Sequence, residues 1–146
     1  MVATPRLERS VEMELFLRAT PQRVFDAFAT PEGLKSWMRL AEAQIDPRPG
    51  GYWRYQWRGG DVADGTVVAY EPPHRLVTDW HEAPNLHDTR LTIEITAEDA
   101  GTRLRLINSG FGYGGEWDTL FAGVEEGWSS GLAQLRVWLE EGRSPE

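Results

Sequence analysis

The sequence predicts an α+β fold in which a curved antiparallel sheet wraps around a long C-terminal helix. Six short apolar or alternating segments follow one another between residues 41 and 109, separated by turns rich in Gly and Pro. Consecutive strands of this kind pair antiparallel. One amphipathic segment then runs from about Glu116 to Glu141. It is the only segment with enough apolar length to cover a face of the sheet.

The first part of the chain holds one strand and two short helices. Val11–Leu17 alternates and then ends in an apolar run, which predicts the first strand. Thr20 followed by Pro21 is a helix-start signal, and the helix that it opens should end near Ala29. Thr30 and Pro31 repeat that signal. A second short helix should therefore begin there, with apolar residues Leu34, Trp37 and Met38.

The remaining strands complete a seven-stranded antiparallel sheet. We expect them at roughly 41–46, 51–58, 64–70, 75–80, 89–96 and 102–109. The turns between them are short, except for a longer loop at 81–88. With 146 residues, the chain should form one domain over 1–146 with its core at about 10–141.

An aromatic row marks the strand at 51–58. Trp53, Tyr55 and Trp57 occupy every second position, so their rings share one face. Arg54 and Gln56 occupy the other face, so the aromatic face should look inward. Residues of the fifth and seventh strands should join it, namely Leu76, Thr78, Trp80, Leu104, Leu106 and Asn108.

This inward face has two interpretations, a packed aromatic core or the wall of a ligand cavity. Buried groups such as the Asn108 amide, the Thr78 hydroxyl or the Tyr55 hydroxyl cost about 1–3 kcal/mol each if they stay unpaired. A ligand pocket uses a few polar groups of this kind to orient a mainly apolar guest. They are therefore candidates for ligand specificity.

Three glycines stand four residues apart in the C-terminal helix, at Gly123, Gly127 and Gly131. Each costs about 0.5–1 kcal/mol relative to Ala inside a helix. Either they permit close approach of another backbone, or they leave volume for a guest beneath the helix.

Composition excludes several functional classes. The net charge is -8 and no basic run occurs, so neither nucleic acid nor an anionic membrane is expected as a partner. The absence of cysteine excludes disulfides, thiolate metal sites and thiol nucleophiles. Met1–Arg9 lacks an apolar signal core and no segment is long enough to span a bilayer, so we expect a cytoplasmic protein.

Two histidines and three carboxylates cluster around the longer loop, in Asp79–Glu82 and at His87–Asp88. They could in principle form a metal site or an acid–base pair. Their spacing matches no ligand motif, and His and Asp in loops are usually solvated turn formers. We expect no metal and no cofactor, and no sequence motif of a serine hydrolase or a nucleotide-binding loop is present.

Seven segments of the chain, in order and spacing, resemble one family. They are Ala19–Phe28, Thr30–Trp37, Asp46–Gly51, Pro72–Val77 with Trp80, Gly101–Leu106, Ser109–Phe111, and Gly127–Trp128 with Leu132. The chain resembles the activator of heat-shock protein 90 ATPase homologue family, within the START-like (SRPBCC) helix-grip superfamily. That resemblance implies a deep cavity between sheet and C-terminal helix, which in this superfamily often accepts lipids, polyketides or other apolar molecules. Asn108 stands where many family members carry His.

Our leading hypothesis is a binding protein for an apolar or aromatic molecule, held in this cavity without a cofactor. Loop 81–88 and the second short helix could gate entry. The expected ligand-binding residues are Trp37, Trp53, Tyr55, Trp57, Thr78, Trp80, Leu104, Leu106, Asn108, Phe111, Val124 and Trp128.

Two other classes stay open. One is a cofactor-free cyclase, hydrolase or dehydratase that uses cavity carboxylates, Tyr55 or His81 for proton transfer. The other is a co-chaperone-like domain that acts on a chaperone ATPase through the acidic surface or exposed tryptophans. Homodimerisation through a sheet edge, or through Trp117 and Trp138, is a further alternative.

Overall fold

A computed structural model describes residues 8–82 and 88–145. Over these residues the chain forms seven strands and three helices: β1 Arg9–Leu17, α1 Pro21–Ala29, α2 Pro31–Trp37, β2 Leu40–Ile45, β3 Tyr52–Trp57, β4 Val62–Glu71, β5 Arg75–Glu82, β6 Thr89–Glu98, β7 Gly101–Phe111 and α3 Gly115–Glu141. The sheet order is β1-β7-β6-β5-β4-β3-β2, and every neighbouring pair is antiparallel. The predicted α+β helix-grip fold is confirmed.

The two short helices begin where the threonine–proline pairs predict. The Thr20 hydroxyl accepts a hydrogen bond from the backbone N–H of Arg23 at 3.2 Å. The Thr30 hydroxyl accepts from the N–H of Gly33 at 3.0 Å and donates to the carbonyl of Asp26 at 2.8 Å. Thr30 therefore both ends α1 and starts α2, and this fixes the angle at which α2 leaves α1.

Strand pairing extends several elements beyond their predicted ends. β5 continues to Glu82 because its last residues pair with Ala63 and Asp64 of β4. β7 continues to Phe111 because β1 pairs with it as far as Arg9. The loop predicted at 81–88 is therefore shorter at its start, and residues 83–87 lie outside the described residues.

The two halves of α3 differ in burial. Trp128, Leu132, Leu135 and Leu139 are buried, whereas residues 115–127 include no buried residue. The helix ends at Gly142, whose φ of 73° is left-handed and whose N–H donates to the Trp138 carbonyl at 2.9 Å. The carboxyl half of α3 thus completes the core, and the amino half does not.

None of the helices described is both long enough and apolar enough to span a membrane.

Candidate functional site

A cavity of about 1180 Å³ lies between the amino half of α3 and the sheet. The carboxyl end of α2 and the β3–β4 turn complete its rim, through Met38, Arg39 and Asp61. Pockets for small molecules commonly measure about 300–1,000 Å³. This cavity is therefore large enough for a drug-sized molecule.

The glycine row of α3 faces this cavity. A methyl group built on Gly123 or Gly127 would have no described atom within 4 Å apart from the adjoining backbone of α3 and the glycine's two chain neighbours. A methyl group on Gly131 would meet the Trp37 ring at 3.5 Å, an ordinary van der Waals contact. Gly123 and Gly127 therefore leave open volume beneath the helix, which is one of the two explanations for the glycine row. Only Gly131 lies close to another element.

Aromatic rings form the floor of the cavity and the core beneath it. The Trp80 ring lies at the centre of this cluster, with its centroid 4.6 Å from that of Trp53, 6.4 Å from that of Trp57 and 6.0 Å from that of Trp128. Trp57 and Trp80 are only half-buried, and both line the cavity. The exposed parts of both rings present apolar surface to the cavity.

The buried polar groups beside these rings are already paired. The Trp128 indole donates to Oδ1 of Asn108 at 3.1 Å, and Nδ2 of Asn108 donates to the Arg90 carbonyl at 3.1 Å. Because an indole N–H can only donate, this geometry assigns the orientation of the amide. The Trp80 indole likewise donates to the Thr78 hydroxyl at 2.9 Å. Asn108 therefore ties α3 to β7 and β6.

Seven of the twelve predicted site residues line the cavity: Trp37, Trp57, Trp80, Asn108, Phe111, Val124 and Trp128. The other five, Trp53, Tyr55, Thr78, Leu104 and Leu106, are buried but do not line it. Tyr55 and Thr78 border only a void of about 10 Å³, which holds at most one water. Alternation along a strand gives the face of a side chain but not its depth, and these five lie deep.

Sequence reasoning did not select much of the rim and roof as ligand-binding residues. Besides the glycines, the additional lining residues are Met38, Arg39, Asp61, Thr89, Gly115, Glu116, Thr119, Leu120, Ser130 and Gln134. The α3 members recur at spacings of three and four residues, so extending the glycine row along the same helical face would have found them. No sequence signal pointed to Arg39 or Asp61.

A charged cluster holds the amino end of α3. The Arg9 guanidinium donates to the Gly112 carbonyl at 3.0 Å, pairs with the Asp118 carboxylate, and lies 4.3 Å from the centroid of the Phe121 ring. Asp118 also accepts from the N–H of Gly114 at 3.0 Å. The Gly114 hydrogen bond, followed by the Arg9 interaction, lowers the pKa of the Asp118 carboxyl below its ordinary value. This cluster replaces the N-cap side chain that Gly114 lacks.

Of the described groups considered for proton transfer or metal binding, only carboxylates line the cavity, those of Asp61 and Glu116 at its rim. Neither Tyr55 nor His81 lines the cavity. Burial raises the pKa of the Tyr55 hydroxyl, so it stays protonated at neutral pH. Nδ1 of His81 lies 2.9 Å from the Asp88 carboxylate on the exposed surface. His87 lies outside the described residues, and no cluster of three metal-ligating side chains occurs within 8–82 and 88–145.

A seven-stranded antiparallel sheet, a long C-terminal helix and a cavity between them define a domain of the helix-grip class. The family model for "Activator of Hsp90 ATPase homolog 1-like protein" matches residues 18–140, and the chain belongs to that family. The resemblance stated from the sequence is confirmed. A comparison with curated proteins gives no match.

Solved structures of related fold come from several bacteria. A Mesorhizobium loti protein aligns with a TM-score of 0.80 at 24% identity, covering 91% of this chain and 98% of that one. DynU16, a protein of the dynemicin biosynthetic locus, aligns with a TM-score of 0.81 at 22% identity, covering 92% of this chain and 48% of its own. The Aha1 dimer of Colwellia psychrerythraea aligns with a TM-score of 0.76 at 20% identity, covering 93% and 99%. At these identities the likeness shows the fold alone.

Proposed function

We propose that the protein binds a small apolar or aromatic molecule in the cavity beneath α3. One observation carries this proposal: the amino half of α3 stands over about 1180 Å³ of space with no buried residue in 115–127. Leu120 and Val124 on this half-helix line the cavity and are only partly buried. A guest would cover them together with the tryptophans opposite.

Apolar side chains at the cavity are only partly buried, among them Trp57, Trp80, Leu120 and Val124. Burying such surface contributes about 25 cal/mol per Å². Two glycines that each cost about 0.5–1 kcal/mol face the same space, although Ala would fit at both positions. A function that needs the volume explains both features, whereas fold stability alone explains neither.

We assign the walls to the seven predicted residues that line the cavity, with Leu120 added on the helix side. Trp57 and Trp80 would stack on one side of the guest, and Val124 and Leu120 would cover the other. Asn108 is engaged by Trp128 and Arg90, so we assign it a structural role in holding the roof. DynU16, of the dynemicin biosynthetic locus, shares the fold, and this is in keeping with a small-molecule ligand.

The first test is native mass spectrometry of freshly purified protein, followed by titration with N-phenylnaphthylamine, a neutral aromatic probe that fluoresces in apolar sites. We expect either a retained ligand mass or saturable binding of the probe. Trp57→Ala and Val124→Ala should weaken probe binding. Trp138→Phe is the matched control, because Trp138 lies in the carboxyl half of α3 and does not line the cavity. Equal probe affinity in all three variants would refute the wall assignment.

Family membership supports one second candidate, a protein–protein role on a chaperone ATPase. It would use the outer surface and not the cavity, so filling the cavity should leave it intact. A pull-down with a chaperone middle domain tests it. Absence of binding at tens of micromolar would remove this candidate, since even weak signalling contacts register at that concentration.

A further inference from the structure

We propose that the ligand carries one anionic group, which Arg39 binds at the rim of the cavity. This inference rests on the proposed function and adds the chemical class of the ligand: an apolar body with a single carboxylate, sulfonate or ionised phenol. Arg39 is the only cationic residue among the described residues that line the cavity. It immediately follows the C-cap residue of α2 and precedes β2.

The backbone of Arg39 is the first observation. Its φ is 58°, in the left-handed region, and only one other non-glycine residue in the described chain has a positive φ. At the position after a helix, this conformation is most often taken by glycine, because a side chain there is strained. Fold stability alone would favour glycine at this position. Strained backbone of this kind is concentrated at functional sites.

The second observation is that the guanidinium has no protein partner. Nine of the described arginines, among them Arg9, Arg90 and Arg105, form side-chain hydrogen bonds or ion pairs. The Arg39 guanidinium forms none with any residue in 8–82 or 88–145, and only its carbonyl is used, by the N–H of Arg58. Its five N–H donors are thus available at the edge of an aromatic cavity.

Two carboxylates also line the rim, those of Glu116 and Asp61. Glu116 lies in the first turn of α3, where negative charge interacts favourably with the helix dipole. Asp61 lies in the turn between β3 and β4, where its backbone carbonyl, and not its carboxylate, accepts from the N–H of Trp57 at 2.9 Å. Exposed carboxylates are expected anywhere on a chain with 23 acidic residues and a net charge of -8. Arg18, Arg54 and Arg58 also lack a side-chain hydrogen bond or ion pair to a described residue, but only Arg39 combines this with a left-handed backbone and a place in the cavity lining.

The experiment compares two probes that differ only in a sulfonate: neutral N-phenylnaphthylamine and its anionic analogue anilinonaphthalene sulfonate. Both are titrated into the wild type, Arg39→Met, Arg39→Gly and Arg39→Lys. We expect the Met and Gly variants to bind the sulfonate about three- to tenfold more weakly and the neutral probe unchanged. Arg39→Lys should retain part of the affinity, and salt should reduce the wild-type preference.

Two controls separate charge at the cavity from charge in general. Lys35→Met removes one positive charge from the exposed surface of α2, outside the cavity lining, and should alter neither titration. Arg39→Gly should melt at the same temperature as the wild type or higher, since it relieves the strained backbone. A lower melting temperature would contradict the argument that the left-handed backbone at Arg39 is strained.

The outcomes keep this inference distinct from the proposed function. If neither probe binds the wild type, the cavity does not bind ligands and both proposals fail. If both probes bind and the Arg39 variants leave the sulfonate unaffected, or weaken both probes equally, the anion inference is wrong and the proposed function stands. Selective loss of the sulfonate in Arg39→Met and Arg39→Gly, with Lys35→Met unchanged, supports the inference.

Discussion

Replacing Gly127 with alanine distinguishes an open cavity from a closed helix–sheet contact by the sign of its effect on stability. In the structure the added methyl group would have no described atom within 4 Å apart from the adjoining backbone of its own helix and the glycine's two chain neighbours. The substitution then acts only through helix propensity, which favours Ala over Gly by about 0.8–1.0 kcal/mol in a helix interior. We therefore expect Gly127→Ala to raise the free energy of unfolding by about that amount.

The expected gain in stability of Gly127→Ala converts into a shift in melting temperature. An unfolding entropy of about 2.1 cal/mol/K per residue gives about 0.3 kcal/mol/K for 146 residues. An increase of about 1 kcal/mol then raises the midpoint by about 3 °C. The double variant Gly123→Ala with Gly127→Ala should gain about 6 °C, because neither methyl group contacts another element.

Thermal and urea denaturation followed by far-ultraviolet circular dichroism measure this change. If α3 closed onto the sheet in solution, each methyl group would instead overpack the contact and cost about 1–3 kcal/mol. Gly131→Ala is an internal reference, since its methyl group would meet the Trp37 ring at an ordinary distance in either case. A fall in stability for Gly127→Ala would refute the open-cavity reasoning.

Two further predictions follow from the sheet and the end of α3. Gly65→Ala should lower the free energy of unfolding by about 3 kcal/mol or more, since the new methyl group would overlap the backbone carbonyl of Asp79. Urea denaturation measures this change, and a decrease below about 1 kcal/mol would contradict the close packing of Gly65 against Asp79. The pKa of Asp118 is lowered in the folded protein, so its stabilising effect is present above the ordinary value of 3.8 and is lost as pH falls through the lowered pKa. The backbone amides of residues 115–127 should therefore lose protection from hydrogen exchange at low pH in the wild type. In Asp118→Asn the same amides should already be weakly protected at neutral pH. Identical exchange profiles in the two proteins would count against the Arg9 cluster as the anchor of α3.

Much of the fold was predictable because its signals are local. Thr20 and Thr30, each followed by proline, set the helix starts through one hydrogen bond each, and the structure contains those bonds. The alternation of Trp53, Tyr55 and Trp57 gave the inward face of β3 correctly. Such patterns depend on the periodicity of the backbone, which the sequence displays directly.

The sequence did not predict which inward-facing side chains line the cavity and which lie in the core beneath it. That division depends on the distance between α3 and the sheet. Trp53 and Trp57 share a face, but Trp53 is fully buried and donates its indole N–H to the Asp79 carbonyl, while Trp57 lines the cavity. Arg39 became a candidate through its place in the cavity lining, its left-handed φ and its unpaired guanidinium, none of which its neighbourhood in the sequence indicates. Two-residue and four-residue spacings are visible in a sequence, whereas the distance between α3 and the sheet is not.

The most direct test of the central claim is titration of N-phenylnaphthylamine into the wild type and into Gly127→Leu. Leucine is a strong helix former, and at this position its side chain would extend into the open volume. We predict saturable binding of about one probe per wild-type chain, and loss of that binding in Gly127→Leu at undiminished thermal stability. Absence of saturable binding to the wild type, or equal affinity in the leucine variant, would contradict the account.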